Sequence, residues 1–196
     1  MIFKITPENA ELLALGIVSD SAGFSTANSK TFIILSELLE ISKTNFSGIL
    51  ALSASRIDVS QKIASLKAAK RARIFKCGEF IIALSEVGCF ENLAAESLVM
   101  LGADIAFVGF AGSKMQARIN ARASEEFAKK SGFDLASVVI IPLGERFSGN
   151  AGGHACAAGF DGIAVEIMPL LEECFRLSFE FLKKKNLTLN FKELKD

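Results

Sequence analysis

Through the first third of the chain apolar residues recur every three or four positions, a spacing that predicts helices. Thr6-Pro7-Glu8 supplies a start signal: a capping hydroxyl, a proline at the first helical position and an acid in the first turn. Helices over residues 8–18 and 30–41 follow, separated by the polar loop GIVSDSAGFSTANS around Asp20. Ser29 is placed to cap the second, whose Phe32, Leu35, Leu38 and Leu39 form one stripe. A short helix is expected near residues 47–53. Ile2 to Ile5 is the one strand candidate before residue 55, so these helices have apolar faces without a sheet of their own to cover, and an association surface is expected.

From Asp58 to about Lys76 the pattern reads as a basic helix, DVSQKIASLKAAKRARIFK, with Lys67, Lys70 and Arg71 at i, i+3 and i+4 on one face. That face suits solvent or a nucleic-acid strand. Beyond it, strands and helices alternate. EFIIALSEV and DIAFVGFAG read as strands flanking the helix NLAAESLVML, which stops at Gly102. In MQARINAR, Gln116, Arg118, Asn120 and Arg122 alternate with Ala117, Ile119 and Ala121, the signature of a half-buried strand with one polar face. The amphipathic segments SEEFAKK and FDLASVVIIPLGERF come next, then a glycine-rich loop and a long helix ending in FEFLKKK. LTLNFKELKD closes the chain as a short strand or a frayed tail.

Composition narrows the picture only modestly. The 22 basic and 22 acidic residues cancel, so a nucleic-acid site must be a local patch rather than a global field. The apolar fraction is high, at 51%, yet no run approaches a membrane span. With no signal-peptide pattern at the start, a soluble cytoplasmic chain is expected. Cys77, Cys89, Cys156 and Cys174 have no C-x-x-C spacing, which argues against structural zinc and for reduced, mostly buried thiols. Cys156, two residues from His154, reads as small packing rather than a nucleophile.

Chemistry concentrates in RFSGNAGGHACAAGF, residues 146–160, which contains the single histidine, His154. Gly149, Gly152, Gly153 and Gly159 leave the backbone approachable around that imidazole. The N–H groups of Gly152 and Gly153 could then form a nest for a phosphate, with His154 donating beside it; a tight turn with a satisfied histidine is the plainer alternative. Arg118 and Arg122 share a strand face and can each offer a guanidinium fork to a phosphate, adjacent phosphates being the expected guests.

Taken together, MQARINARASEEFAKKSGFDLASV followed by RFSGNAGGHACAAGF resembles the DHH-associated domain at the C-terminus of RecJ-like exonucleases and oligoribonuclease-type phosphoesterases. That pattern is an arginine-bearing strand, a helix and a G-G-H loop running into A-A-G; Ala151 stands where the longer G-G-G-H form begins. LGIVSDSAGFSTANSKTF is similar to the last motif of the catalytic DHH domain, with Ser21 where threonine is usual and Ala22 as an extra residue. The resemblance puts Asp20 on a position that binds manganese or magnesium. It implies an α/β fold in which the DHH-associated domain, 77–196, has a mixed sheet flanked by helices. A helical remnant of a DHH domain, 1–55, and a linker helix, 56–76, would precede it.

The family's D-x-D and D-H-H motifs do not occur in this sequence, and one aspartate cannot hold two hard cations. The resemblance therefore implies a phosphate-binding module for single-stranded nucleic acid or short oligonucleotides, non-catalytic by itself. Arg118, Arg122, Gly152, Gly153 and His154 would form the substrate site, with a homodimer or a separate catalytic-domain chain as partner and no membrane. Two other readings stand beside it: a metal-dependent phosphodiesterase in which another chain completes the ligand set of Asp20, and a pure interaction protein.

Overall fold

Helix starts are written into the chain as side-chain caps. Thr6 accepts from the Asn9 amide, Asn28 rather than the expected Ser29 caps the second helix in a reciprocal capping box with Thr31, and Asp58 and Gln61 form another. A computed structural model describes residues 5–21, 23–53, 58–112, 115–164 and 166–194, in two compact units, Met1–Ile57 and Asp58–Asp196.

The first unit comprises α1 (Pro7–Asp20), α2 (Ser29–Ser42) and α3 (Phe46–Ser53). Its small core is Ala10, Ala14, Val18, Leu35, Leu38 and Ile49. Helix α1 runs on to Asp20, beyond the expected end near residue 18, because Gly16 does not break a helix already capped and packed. Most of the candidate strand Ile2 to Ile5, like Ala22, lies outside the described residues. Leu12, Leu13, Phe32, Ile33, Ile34 and Leu52 are exposed, with Leu12 66% and Ile33 59% accessible. The expected apolar face is present.

The second unit is a seven-stranded mixed sheet with helices on both faces. Its elements are α4 (Val59–Arg71), β1 (Arg73–Cys77), β2 (Phe80–Glu86), α5 (Glu91–Met100), β3 (Ile105–Ala111) and β4 (Gln116–Ala123). After these come α6 (Glu125–Ser131), a π-helical turn (Ala136–Ile140), α7 (Ile141–Phe147), β5 (Asn150–His154), β6 (Ala157–Ile163), α8 (Met168–Lys184) and β7 (Lys192–Leu194). The strand order is β5-β6-β4-β3-β2-β1-β7, with β2 and β3 the parallel pair and the other neighbours antiparallel.

Alternation along the strands assigns the two faces. Ile105, Phe107, Ile119, Ala121 and Phe160 point into the main core, closed by Phe127, Leu143 and Leu171 of α6, α7 and α8. Ala106 and Val108 point the other way and meet Ala68 of α4 and Ala94, Ala95 and Leu98 of α5. The closing segment is a strand: Ile74 of β1 pairs with Leu194.

The basic segment corrects the expected bounds of its helix. Its helix ends at Arg71, and Arg73–Cys77 is a strand, turned back onto β2 through Gly78-Glu79 so that Cys77 opposes Phe80. Isoleucine and phenylalanine in RIFKC gain more from a pleated, half-buried site than from another helical turn. Helix α4 packs on the sheet of the second unit. Ala64 and Ala68 are buried, and the Ser85 hydroxyl of β2 donates to the Ala68 carbonyl at 2.8 Å, which ties α4 to the sheet. Lys67 and Lys70 face solvent, and Arg71 reaches the Glu86 carbonyl at 3.3 Å.

Candidate phosphate site

The polar side of β4 shares a surface with β5 and β6, and the strand register sets out its residues in rows. Arg118 lies opposite Asp161, which lies opposite Asn150. One step along, Asn120, Gly159 and Gly152 are aligned; one step further come Arg122, Ala157 and His154. The α4–α5 layer packs on β2, β3 and β4, and on this same face Asn150, Gly152, His154 and Asp161 are exposed. A shallow groove of about 380 Å³ results, lined by Arg118, Asn120, Asn150, Gly152, Gly159 and Asp161 among others.

Of the five residues expected to bind substrate, Arg118, Arg122, Gly152 and His154 share this face, whereas Gly153, in register with Ala158 and Ala121, belongs to the opposite row. Their local structure differs from expectation in one respect. Gly152, Gly153 and His154 are not a loop or tight turn but the end of edge strand β5, and the turn is Ala155-Cys156. Backbone N–H groups alternate in direction along a strand, so Gly152 and Gly153 do not offer a paired nest. The glycines do two different jobs. Gly153 has φ +146, and a Cβ there would meet the Ala157 carbonyl oxygen and the Ala158 Cα at 2.4 Å, so the hairpin itself requires glycine. At Gly152 a Cβ would meet nothing within 4 Å, and at Gly159 it would come no closer than 3.4 Å. Nothing in the chain's own packing excludes a side chain at either position, and bare backbone on a strand face lets a ligand come close.

His154 is exposed, and its imidazole makes no hydrogen bond among the described residues. Arg118 is anchored differently: its Nη2 donates to Glu91 Oε1 at 2.8 Å, and its guanidinium carbon lies 5.0 Å from the centre of the Phe110 ring. Arg122 donates through Nη2 to the Asn92 side-chain oxygen and through Nη1 to the Ala121 carbonyl at 3.4 Å. Arg118 and Arg122 are four positions apart on an extended strand, about 13 Å between Cα atoms, with Asn120 between them. Glu91 and Asn92 gave no signal in the sequence; only the packing of α5 beside β4 brings them to the arginines.

Burial raises the Cys156 thiol above its ordinary value, as it does Cys77, to about 11, and Cys174. Cys77 and Cys174 are buried, Cys156 is half-buried in the hairpin turn, and Cys89 is exposed, against the expectation of mostly buried thiols.

Asp20 lies on the last turn of α1, exposed beside a depression of about 360 Å³ that it lines with Ser21, Thr26, Asn28 and Lys30. Manganese or magnesium asks for several oxygen ligands, and here the neighbours are hydroxyls, an amide and a cation. Among the described residues no group of three or more His, Cys, Asp or Glu side chains could hold a metal ion. The residues present therefore do not fit a divalent cation pair. No described helix is long and apolar enough to cross a membrane.

No family model matches the chain. The uncharacterized protein MJ0988 of Methanocaldococcus jannaschii is 35% identical over 157 residues, which is 79% of this chain and 46% of that protein. An exopolyphosphatase-related protein from Bacteroides fragilis shares the fold, with a TM-score of 0.60 and 20% identity over 93% of this chain and 52% of that one. The DHH domain of a member of the S1p family of ribosomal proteins aligns with a TM-score of 0.48 and 16% identity, over 90% of this chain and 43% of that one. The chain thus spans about half the length of the relatives it matches.

Proposed function

We propose that this chain binds phosphate groups of single-stranded nucleic acid or short oligonucleotides in the β4-β6-β5 groove, as a module of the DHH-associated kind found in RecJ-like phosphoesterases. One observation carries the reading. Arg122 and His154 flank the same residue, Ala157, from the strands on either side. Two strand spacings separate them, about 9.6 Å at the Cα atoms, so a long guanidinium and an unpartnered imidazole can close on one anion from opposite sides.

Beside them the Gly159-Gly152 floor admits a sugar-phosphate backbone closely, Asn120 offers an amide, and Arg118 supplies a second cation at the far row. Phosphate contacts of this kind position a chain without reading its sequence. The fold shared with an exopolyphosphatase-related protein makes inorganic polyphosphate the natural competitor ligand.

The test is a fluorescence titration of the whole chain with labelled oligoadenylate, with polyphosphate as competitor. With about two phosphate contacts, log affinity should fall against log salt with a slope of about −1 to −2. Affinity without salt dependence, or unchanged in both Arg122→Ala and His154→Ala, would refute the reading. Polyphosphate displacing the oligonucleotide at far lower phosphate concentration would transfer the site to that polymer.

A further inference from the structure

We infer that Glu91 is a positioning residue for this site, its buried carboxylate fixing the Arg118 guanidinium at the groove, with Asn92 doing the same for Arg122. The inference rests on the phosphate-binding reading above and deepens it. Glu91 is the first residue of α5 and only 6% exposed, although it carries a charge. Taking a carboxylate out of water is costly unless a cation and hydrogen bonds repay it, and Arg118 is its ion-pair partner.

The turn into α5 is itself constrained. Phe90, immediately before, has φ +60, a left-handed conformation unfavourable for a bulky side chain, and it gives the helix no side-chain cap. The guanidinium of Arg118 is thus held by Glu91 through one nitrogen and by the Phe110 ring, while Nε and Nη1 make no hydrogen bond among the described residues. A held fork with free donors binds an anion at less entropic cost than one that must be ordered first.

Geometry adds a second effect. The two arginines leave β4 about 13 Å apart, yet they are tied to the side chains of adjacent residues, whose Cα atoms are about 3.8 Å apart. The first turn of α5 thus anchors both cations of the β4 face. Tethering by Glu91 also neutralises one positive charge, so positioning and charge masking predict opposite signs when the carboxylate is removed.

The experiment is a double-mutant cycle on the whole chain, titrated with fluorescein-labelled hexa-adenylate, with melting midpoints measured alongside. Glu91→Ala should weaken binding about two- to tenfold despite freeing a cation. In an Arg118→Ala background the same change should alter affinity less than twofold. Glu91→Gln, which keeps an acceptor oxygen, should recover part of the loss. If Arg118→Ala fails to fold because it strands the buried carboxylate, the alanine-glutamine comparison at position 91 decides in the native background. Tighter or unchanged binding by Glu91→Ala, or an equal loss with and without Arg118, would overturn the inference. Arg122→Ala and His154→Ala keep the two readings apart: full affinity in both removes the phosphate site itself, whereas binding that depends on either but is indifferent to Glu91 removes only the positioning role.

Discussion

At the scale of single residues, two neighbouring glycines should respond in opposite ways. Gly153→Ala forces a Cβ against the β6 backbone at a φ that alanine avoids, a cost of at least about 2 kcal/mol, read as a melting midpoint several degrees lower. Gly152→Val meets open space on the groove face and suits a strand, so the fold should hold while oligonucleotide binding is lost. A Gly152→Val chain that folds and still binds fully would show that the bare floor has no ligand over it. Arg122→Ala should cost about 1.5 to 3 kcal/mol of binding if its contact is a charge-assisted hydrogen bond, with little change in melting. The arginines and the histidine were legible in the sequence because alternation in MQARINAR and isolation of the only histidine are local signals. Glu91 was not: an acid at a helix start is common, and nothing local marks the one that is buried beneath an arginine.

At the scale of elements, α8 depends on an ionised carboxylate. Glu173, nearly buried, takes both Nε and Nη2 of Arg176, at 2.7 and 2.6 Å, and Nη1 of Arg146 on α7 at 2.7 Å. Hydrogen bonding from Arg176 first, then the charges of both arginines, holds its pKa below the ordinary carboxylate value. A depressed folded-state pKa contributes stability above the unfolded value, and that contribution is lost as pH falls through the folded one. The chain should therefore lose stability on the acid side, and Glu173→Gln should flatten that limb, measured by denaturant melts between about pH 6 and pH 3. An unchanged limb would deny the pairing this role. Most elements were legible from periodicity, with β4 the clearest. Strand β1 was missed because five residues following a helical pattern carry too few repeats to reveal a change of period, and their strand state depends on partners at Ile81 and Leu194.

At the scale of the molecule, α1 and α2 leave Leu12, Leu13, Phe32, Ile33 and Ile34 exposed, and large exposed apolar patches mark association surfaces. Self-association or association with a catalytic-domain chain is the expected outcome, checked by sedimentation at micromolar concentrations. Leu12→Glu with Ile33→Glu should then return a monomer. A chain already monomeric at high micromolar concentration would count against it. Because no group of three or more acidic, histidine or cysteine side chains could hold a metal ion among the described residues, the purified chain should not cleave phosphodiesters with added manganese, and activity should need ligands from another chain. Manganese-dependent cleavage by the chain alone, abolished in Asp20→Ala, would reverse that expectation.

What the sequence by itself determined was whatever depends on neighbours a few positions away: helix starts, the period-two arginine strand, the glycines around His154, and an N-terminal third with more apolar surface than partners. What only the tertiary structure decided depends on pairing across the chain. The register of β4, β6 and β5 sets Arg122 and His154 either side of Ala157, and the packing of α5 on β3 and β4 delivers Glu91 and Asn92 to the two arginines. A one-residue slip in either strand pairing would turn those side chains to the opposite face of the sheet. Local periodicity carries no information about which strand becomes whose neighbour, since that choice is made by burial summed over the whole core.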